Sequence, residues 1–324
     1  MAISKMMRTA LKALSYTDLD LTKNYELQRK LVNVKKYNPA LLLYKMWDHT
    51  VRFEDHDIPV RIFTPPEEEG RRLLLFFHGG GWVTGNIDSY SRVCADMARE
   101  TGRTVVSVDY RLAPEHRFPA APEDCYRVAR EIFLDSSLFC DIPTEDIALI
   151  GDSAGANLAA VVSLMARDRG EFLPSRQILL YPATYFDHDP ASSPFDSVRE
   201  NGTDYLLTSK HICEYMALYR SGEADLSSPY FAPLLADDFS RQPETLVITA
   251  EYDPLRDEGE AYAQKLAQAG NRVVLRRIPD ALHGFFSLPV QFSQVRDCYA
   301  LINAFLKEGE PSEQADASGV ETPR

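Results

Sequence analysis

The sequence predicts an α/β protein: a mostly parallel sheet flanked by helices, with a helical cap. Three observations carry this reading. From about residue 50 onward, short β-branched or apolar runs alternate with longer stretches of helical spacing, the order expected when helices connect parallel strands. The apolar run Ile147 to Ile150 passes through Gly151-Asp152-Ser153-Ala154-Gly155 straight into a helical pattern, so strand, tight turn and helix follow without a spacer. Finally, Ala183 to Gln242 breaks the alternation, and a stretch of that length between two strands usually covers a functional site.

Taken in order, the first 50 or so residues are helical in pattern, and Met1 to Leu14 reads as a short amphipathic helix. The predicted strands are Val60 to Phe63, Leu73 to Phe77, Thr104 to Val108, Ile147 to Ile150, Gln177 to Tyr181, Leu246 to Ala250 and Arg272 to Arg276. Between them, Ser89 to Glu100, Glu123 to Phe133, Asn157 to Arg167 and Glu260 to Ala269 predict helices. Within the long insertion, rich in Asp, Ser, Pro and Tyr, one helix is expected near Lys210 to Tyr219. The expected division is therefore cap helices over 1–50, a catalytic domain over 51–306 with a cap insertion at about 183–242, and a disordered tail over 307–324, which lacks apolar content.

Composition excludes several function classes. The chain has 324 residues, 45% hydrophobic and 26% charged, which suits one large globular domain with insertions and not a disordered or fibrous protein. Its 35 basic and 48 acidic residues give a net charge of −13, opposing the positive field that a nucleic acid or an anionic membrane would require. The longest apolar runs, such as Leu73 to Phe77 and Ala40 to Tyr44, fall far short of the roughly 20 residues of a membrane span. Cys94, Cys125, Cys140, Cys213 and Cys298 are odd in number, widely spaced and free of any C-x-x-C pair, so a reducing, cytoplasmic setting is expected, without a disulfide framework or zinc site.

The chemistry concentrates in a few segments. In Gly151 to Gly155 the glycines let the chain turn sharply and push the Ser153 hydroxyl out of the backbone; the bland alternative is a serine near an ordinary helix start. His78-Gly79-Gly80-Gly81-Trp82 follows a strong strand, and such a side-chain-free loop can aim N–H groups at a developing oxyanion. It matches neither nucleotide-binding glycine pattern. Trp82 could line a pocket or fill the core. His283, after the last predicted strand, is a candidate base for Ser153, whose hydroxyl is a weak nucleophile unaided. Asp253 could hold that imidazole, although Asp253-Pro254 is also a good helix start, and Asp257 and Glu251 are alternative acids.

His78 to Trp82, Asp109-Tyr110-Arg111-Leu112-Ala113-Pro114-Glu115, Gly151 to Gly155, and Asp253-Pro254-Leu255-Arg256-Asp257 with His283-Gly284-Phe285 together resemble the hormone-sensitive-lipase-like family of α/β-hydrolase esterases. The resemblance runs over about residues 50 to 306, with the motifs in the expected order. It implies an eight-stranded α/β-hydrolase fold with a helical cap and a Ser153, Asp253, His283 triad. It also implies an oxyanion hole of backbone N–H groups from Gly80, Gly81 and Ala154, and hydrolysis of small, short-acyl esters without metal or organic cofactor. Arg111 and Glu115 are expected to form ion pairs beneath the active-site loops, and His78 to anchor the glycine loop. Ala156 stands where many relatives have a second glycine. Family members are often monomers or homodimers. Two other readings use the same residues: an amidase or deacetylase acting on aryl amides, acetylated sugars or xenobiotics, and a non-catalytic small-molecule receptor, against which the retained Ser153, Asp253 and His283 weigh.

Overall fold

Eight strands form one sheet, and the sequence explains why its middle is parallel. A computed structural model describes residues 20–33, 45–66, 72–135 and 142–307. In chain order the elements are α1 (Leu21–Val32), β1 (Lys45–Val51), β2 (Ile58–Thr64), β3 (Leu73–Phe77), α2 (Ser91–Thr101), β4 (Thr104–Val108), α3 (Ala120–Leu134), β5 (Ile147–Asp152) and α4 (Ala154–Arg169). They continue with β6 (Arg176–Leu180), α5 (Asp196–Asn201), α6 (Ser209–Tyr219), β7 (Glu244–Tyr252), α7 (Arg256–Gln268), β8 (Val273–Leu282) and α8 (Ser293–Lys307). The sheet order is β1-β2-β4-β3-β5-β6-β7-β8. Only β1 on β2 and β2 on β4 pair antiparallel; the rest pair parallel.

β3 is Leu-Leu-Leu-Phe-Phe and every residue is buried, as a strand covered on both faces must be. One face packs against α3, α4 and α7 through residues such as Val128, Ile132, Leu158, Val161, Met165 and Leu266. The other packs against α2 and α8 through Val93, Met97, Val295 and Ile302. This is the α/β-hydrolase architecture expected from the sequence.

Three expectations need correction or completion. The stretch before residue 50 was expected to be helical; α1 is, but Lys45–Val51 is the edge strand β1. All seven of its residues face outward or are half-buried in a polar mix (Lys-Met-Trp-Asp-His-Thr-Val), so it carries little of the apolar signal of a buried strand. The insertion holds α5 as well as α6. The last strand runs on to Leu282, delivering the chain to His283. The expected helix over Met1 to Leu14 and the tail beyond Lys307 lie outside the described residues. Among those described, no helix is long and apolar enough to cross a membrane.

Candidate active site

Ser153, Asp253 and His283 lie beyond the C-terminal ends of three parallel strands, β5, β7 and β8, the sheet edge where open α/β folds bind ligands. Ser153 sits between β5 and α4 with φ 55° and ψ −120°, a backbone conformation that non-glycine residues rarely adopt. The tightness of the turn is visible at Gly155, where a Cβ would come within 1.9 Å of the Phe77 carbonyl oxygen. Ser153 is therefore held out from the backbone by strands on both sides, not by its own preference.

His283 Nε2 lies 2.8 Å from Ser153 Oγ, and His283 Nδ1 lies 2.7 Å from Asp253 Oδ2. A carboxylate can only accept, so Nδ1 carries the proton and Nε2 presents its lone pair to the serine hydroxyl, which donates. Asp253 is fully buried. Its second oxygen, Oδ1, accepts the Leu255 N–H at 2.8 Å, but the expected helix start is displaced: α7 begins at Arg256 with Leu255 as its cap residue, so Asp253 braces the turn before the helix and does not cap it. The alternative acids are engaged elsewhere: Asp257 Oδ2 accepts the Ser197 N–H, and Glu251 Oε2 accepts the Asp280 N–H.

The glycine loop curls over the elbow. Gly80 O accepts the N–H groups of Val83 and Thr84, forming a turn that needs φ +118° at Gly80. A Cβ there would stand 2.2 Å from the Thr84 carbonyl oxygen, so only glycine fits. Ala154 opens α4, and a first-turn N–H has no partner within its helix. Gly80, Gly81, Ala154, Ser153 and His283 line one cavity of about 200 Å³ together with Leu207, Ile212 and Tyr215 of the insertion and with Leu255 and Ser287. Trp82 joins both roles expected of it: it borders the cavity, and it stacks on Tyr219 with centroids 4.4 Å apart inside the core.

A second carboxylate was passed over in the sequence although it lies within the elbow motif. Asp152 is buried; its Oδ1 accepts the Gly79 N–H at 2.8 Å and its Oδ2 accepts the Tyr90 hydroxyl at 3.1 Å. It thereby ties the residue before the serine to the residue before the paired loop glycines. Burial raises its pKa to about 6, against the lowering pull of the Gly79 and Tyr90 hydrogen bonds and of His283. His78 does anchor the loop: it is fully buried, its Nδ1 donates to Gly79 O at 2.8 Å, and burial lowers its pKa to about 4, so the ring stays neutral.

The remaining motifs fasten the surroundings. Arg111 pairs with the buried Asp124 (2.7 Å), whereas Glu115 pairs with Arg29 of α1 (2.8 Å), so the two expected ion pairs look to different partners. The segment after Asp253 grips the insertion. Glu258 accepts the Thr184 N–H at 2.6 Å and pairs with His188 at 2.6 Å, both side chains fully buried. Arg256 pairs with Glu200, and Asn201 donates to Asp253 O. Leu207, Ile212, Tyr215 and Asp152, which line the cavity, were missed as site residues. The signal for α6 was present, since Ile212, Tyr215, Met216 and Tyr219 repeat at helical spacing.

Comparison with known proteins gives consistent results. Residues 74–287 match the family described as alpha/beta hydrolase fold. An arylesterase of Saccharolobus solfataricus is 37% identical over 298 residues, 90% of this chain and 93% of its own. An ethyl acetate hydrolase of Pseudomonas putida is 36% identical over 72% of this chain and 73% of its own. Among solved structures, the hyperthermophilic esterase from Pyrobaculum calidifontis superposes with a TM-score of 0.79 at 36% identity, covering 95% of this chain and 99% of that one.

Proposed function

The chain belongs to the hormone-sensitive-lipase-like family of α/β-hydrolase fold proteins and is a carboxylic ester hydrolase, and we propose that it works through Ser153, His283 and Asp253 on small esters with short acyl groups. The observation that carries the mechanism is the unbroken line from Ser153 Oγ to His283 Nε2 and from His283 Nδ1 to Asp253, at 2.8 and 2.7 Å. His283 takes the serine proton as Oγ attacks the ester carbonyl. The carbonyl oxygen becomes negative and is met by the N–H groups of Gly80, Gly81 and Ala154. Asp253 offsets the charge gained by the imidazole. His283 then returns its proton to the departing alcohol, leaving an acyl-Ser153 ester. Water, deprotonated by the same histidine, releases the acid and restores the serine.

The size of the cavity supports the substrate class. About 200 Å³ is below the roughly 300 to 1,000 Å³ of sites that enclose drug-sized ligands, and its cover of Leu207, Ile212 and Tyr215 is mostly apolar. α1 and the 183–242 insertion act as a cap that sets acyl length.

Initial rates on p-nitrophenyl esters from acetate to dodecanoate, with Ser153→Ala alongside, test this. A Ser153-dependent optimum at acetate or butyrate is expected; an optimum at long chains overturns the short-acyl assignment. Running the matching acetanilide distinguishes the amidase reading, which requires anilides to be turned over as efficiently as esters.

A further inference from the structure

The glycine loop is held on its outer side by a helix that contributes no residue to the triad. Arg29, in the last turn of α1, donates from Nε to Val83 O at 2.7 Å and from Nη2 to Ala113 O at 2.6 Å. Its two terminal nitrogens also donate to the two carboxylate oxygens of Glu115, at 2.9 and 2.8 Å. Four residues on, Asn33 pairs with Gly85 much as a neighbouring strand would. Its Oδ1 accepts the Gly85 N–H at 2.9 Å, and its Nδ2 donates to Gly85 O at 3.4 Å.

These contacts converge on one short stretch of backbone. Gly80 O is held by Val83 and Thr84, Trp82 O accepts the Ala113 N–H at 2.9 Å, and Val83 O and Ala113 O both accept from Arg29. Val83 and Ala113 are buried, so few waters can replace the guanidinium as donor. If Arg29 served only to moor α1, the Glu115 pair would be enough, and that pair is partly exposed. The bond to Val83 O reaches further, into the turn that begins at Gly80, and the bond to Ala113 O holds the residue whose N–H is bound to Trp82 O of that turn. A planar fork with five fixed donors can hold two carbonyls and a carboxylate at once; a lysine cannot.

We propose that Arg29, assisted by Asn33, is a positioning residue for the oxyanion hole: α1 braces the Gly80 to Gly85 turn so that its N–H groups stay aimed above Ser153. This rests on the reading of Ser153 as the nucleophile. Its consequence is that the outer helix acts on turnover as well as on access, because displacing α1 takes the brace with it.

The test uses the full-length chain as wild type, Ser153→Ala, Arg29→Met, Arg29→Lys and Asn33→Ala, assayed on p-nitrophenyl acetate and butyrate. Reactive sites are counted by the nitrophenol burst from a p-nitrophenyl phosphonate, so that unfolded protein does not enter kcat. Arg29→Met is expected to lower kcat per site by about 10- to 100-fold, up to the roughly 100-fold cost of a misplaced catalytic geometry and short of the roughly 100- to 1,000-fold cost of a lost oxyanion donor. KM should stay within about threefold on both esters, Arg29→Lys should recover part of the loss, and Asn33→Ala should lose less in the same direction. A per-site kcat of Arg29→Met within twofold of wild type overturns the proposal, as does a rise in KM at constant kcat. If Arg29→Met fails to fold, Asn33→Ala decides by the same criteria. Wild-type turnover no greater than that of Ser153→Ala would instead sink the serine-esterase reading, and the brace with it.

Discussion

The floor and the cover of the candidate active-site cavity are built by different means. On the floor, Ser153, Asp253 and His283 stand at the ends of β5, β7 and β8, and each position is fixed by a parallel hydrogen-bonded ladder behind it. The cover, Leu207, Ile212 and Tyr215, rides on α6 and the segment before it, held through side-chain clasps: Thr184 and His188 to Glu258, Glu200 to Arg256, and α6 against α1. Backbone ladders tolerate sequence change and keep geometry, whereas a clasp is lost with one side chain. Substitutions on the floor should therefore remove chemistry, and those on the cover should change which ester is accepted.

The sharpest way to break this contrast is at Ser153. Ser153→Ala should lower kcat on p-nitrophenyl acetate by about 10⁵- to 10⁶-fold, the scale on which serine-triad nucleophiles act. Residual activity within a hundredfold of wild type would mean that another group attacks the ester. Asp253→Asn comes next: it leaves an acceptor for the Leu255 N–H but no longer fixes the proton on His283 Nδ1. A loss of about 10³- to 10⁴-fold in kcat is expected, and it should be partly relieved at high pH.

The same division explains what could be read in the sequence. Ser153 was legible because a strand, a turn and a helix meet there within a few residues, Asp253 because it follows the apolar strand Leu246 to Ala250, and His283 mainly through the resemblance its His283-Gly284-Phe285 motif carries, since the strand before it mixes Arg276, Arg277 and Asp280 with its apolar residues. β1 was not, since an edge strand with exposed Met46 and Trp47 carries no buried-strand signature. Two motif histidines show where local pattern stops helping. His78 and His283 both adjoin glycine, yet burial beneath the loop keeps the first neutral, while the second reaches the serine. Arg29 had no signal, because two of its partners are backbone carbonyls 54 and 84 residues away, which any sequence supplies, and the third is Glu115, 86 residues away.

Asp152 probes the seam between floor and loop. Its pKa is raised from the ordinary 3.8 to about 6 by burial, so the folded chain binds that proton more tightly than the unfolded chain does. The sign follows: this group favours folding below about pH 3.8, and the contribution disappears as pH rises through about 6. Asp152→Asn removes the cost of burying the charge, so its stability relative to wild type should be about 1 to 3 kcal/mol more favourable at pH 8 than at pH 4. Urea denaturation at the two pH values reads this directly, and a pH-independent difference would show that Asp152 does not titrate in that range. The variant should also lose about tenfold in kcat at pH 8, because one of the two negative charges near the imidazolium is gone, leaving Asp253 alone, and the Gly79 N–H loses a charged acceptor.

The smallest expected effect is the one that most sharpens the contrast. Ile212 belongs to α6, is 5% exposed, and lines the cavity without bonding to any group on the floor. Ile212→Ala removes three carbons from the cover and leaves the ladders behind Ser153, Asp253 and His283 intact. One methylene of fit in an apolar pocket is worth about 1 to 3 kcal/mol at most, and a cavity open at one side should deliver the lower part of that range. We therefore expect kcat/KM for p-nitrophenyl hexanoate to rise about three- to tenfold relative to acetate, with kcat on acetate within about threefold of wild type. Should acetate turnover fall instead while the hexanoate-to-acetate ratio stays fixed, Ile212 would be supporting the reacting groups themselves, and the division between a floor that does chemistry and a cover that selects would not hold at α6.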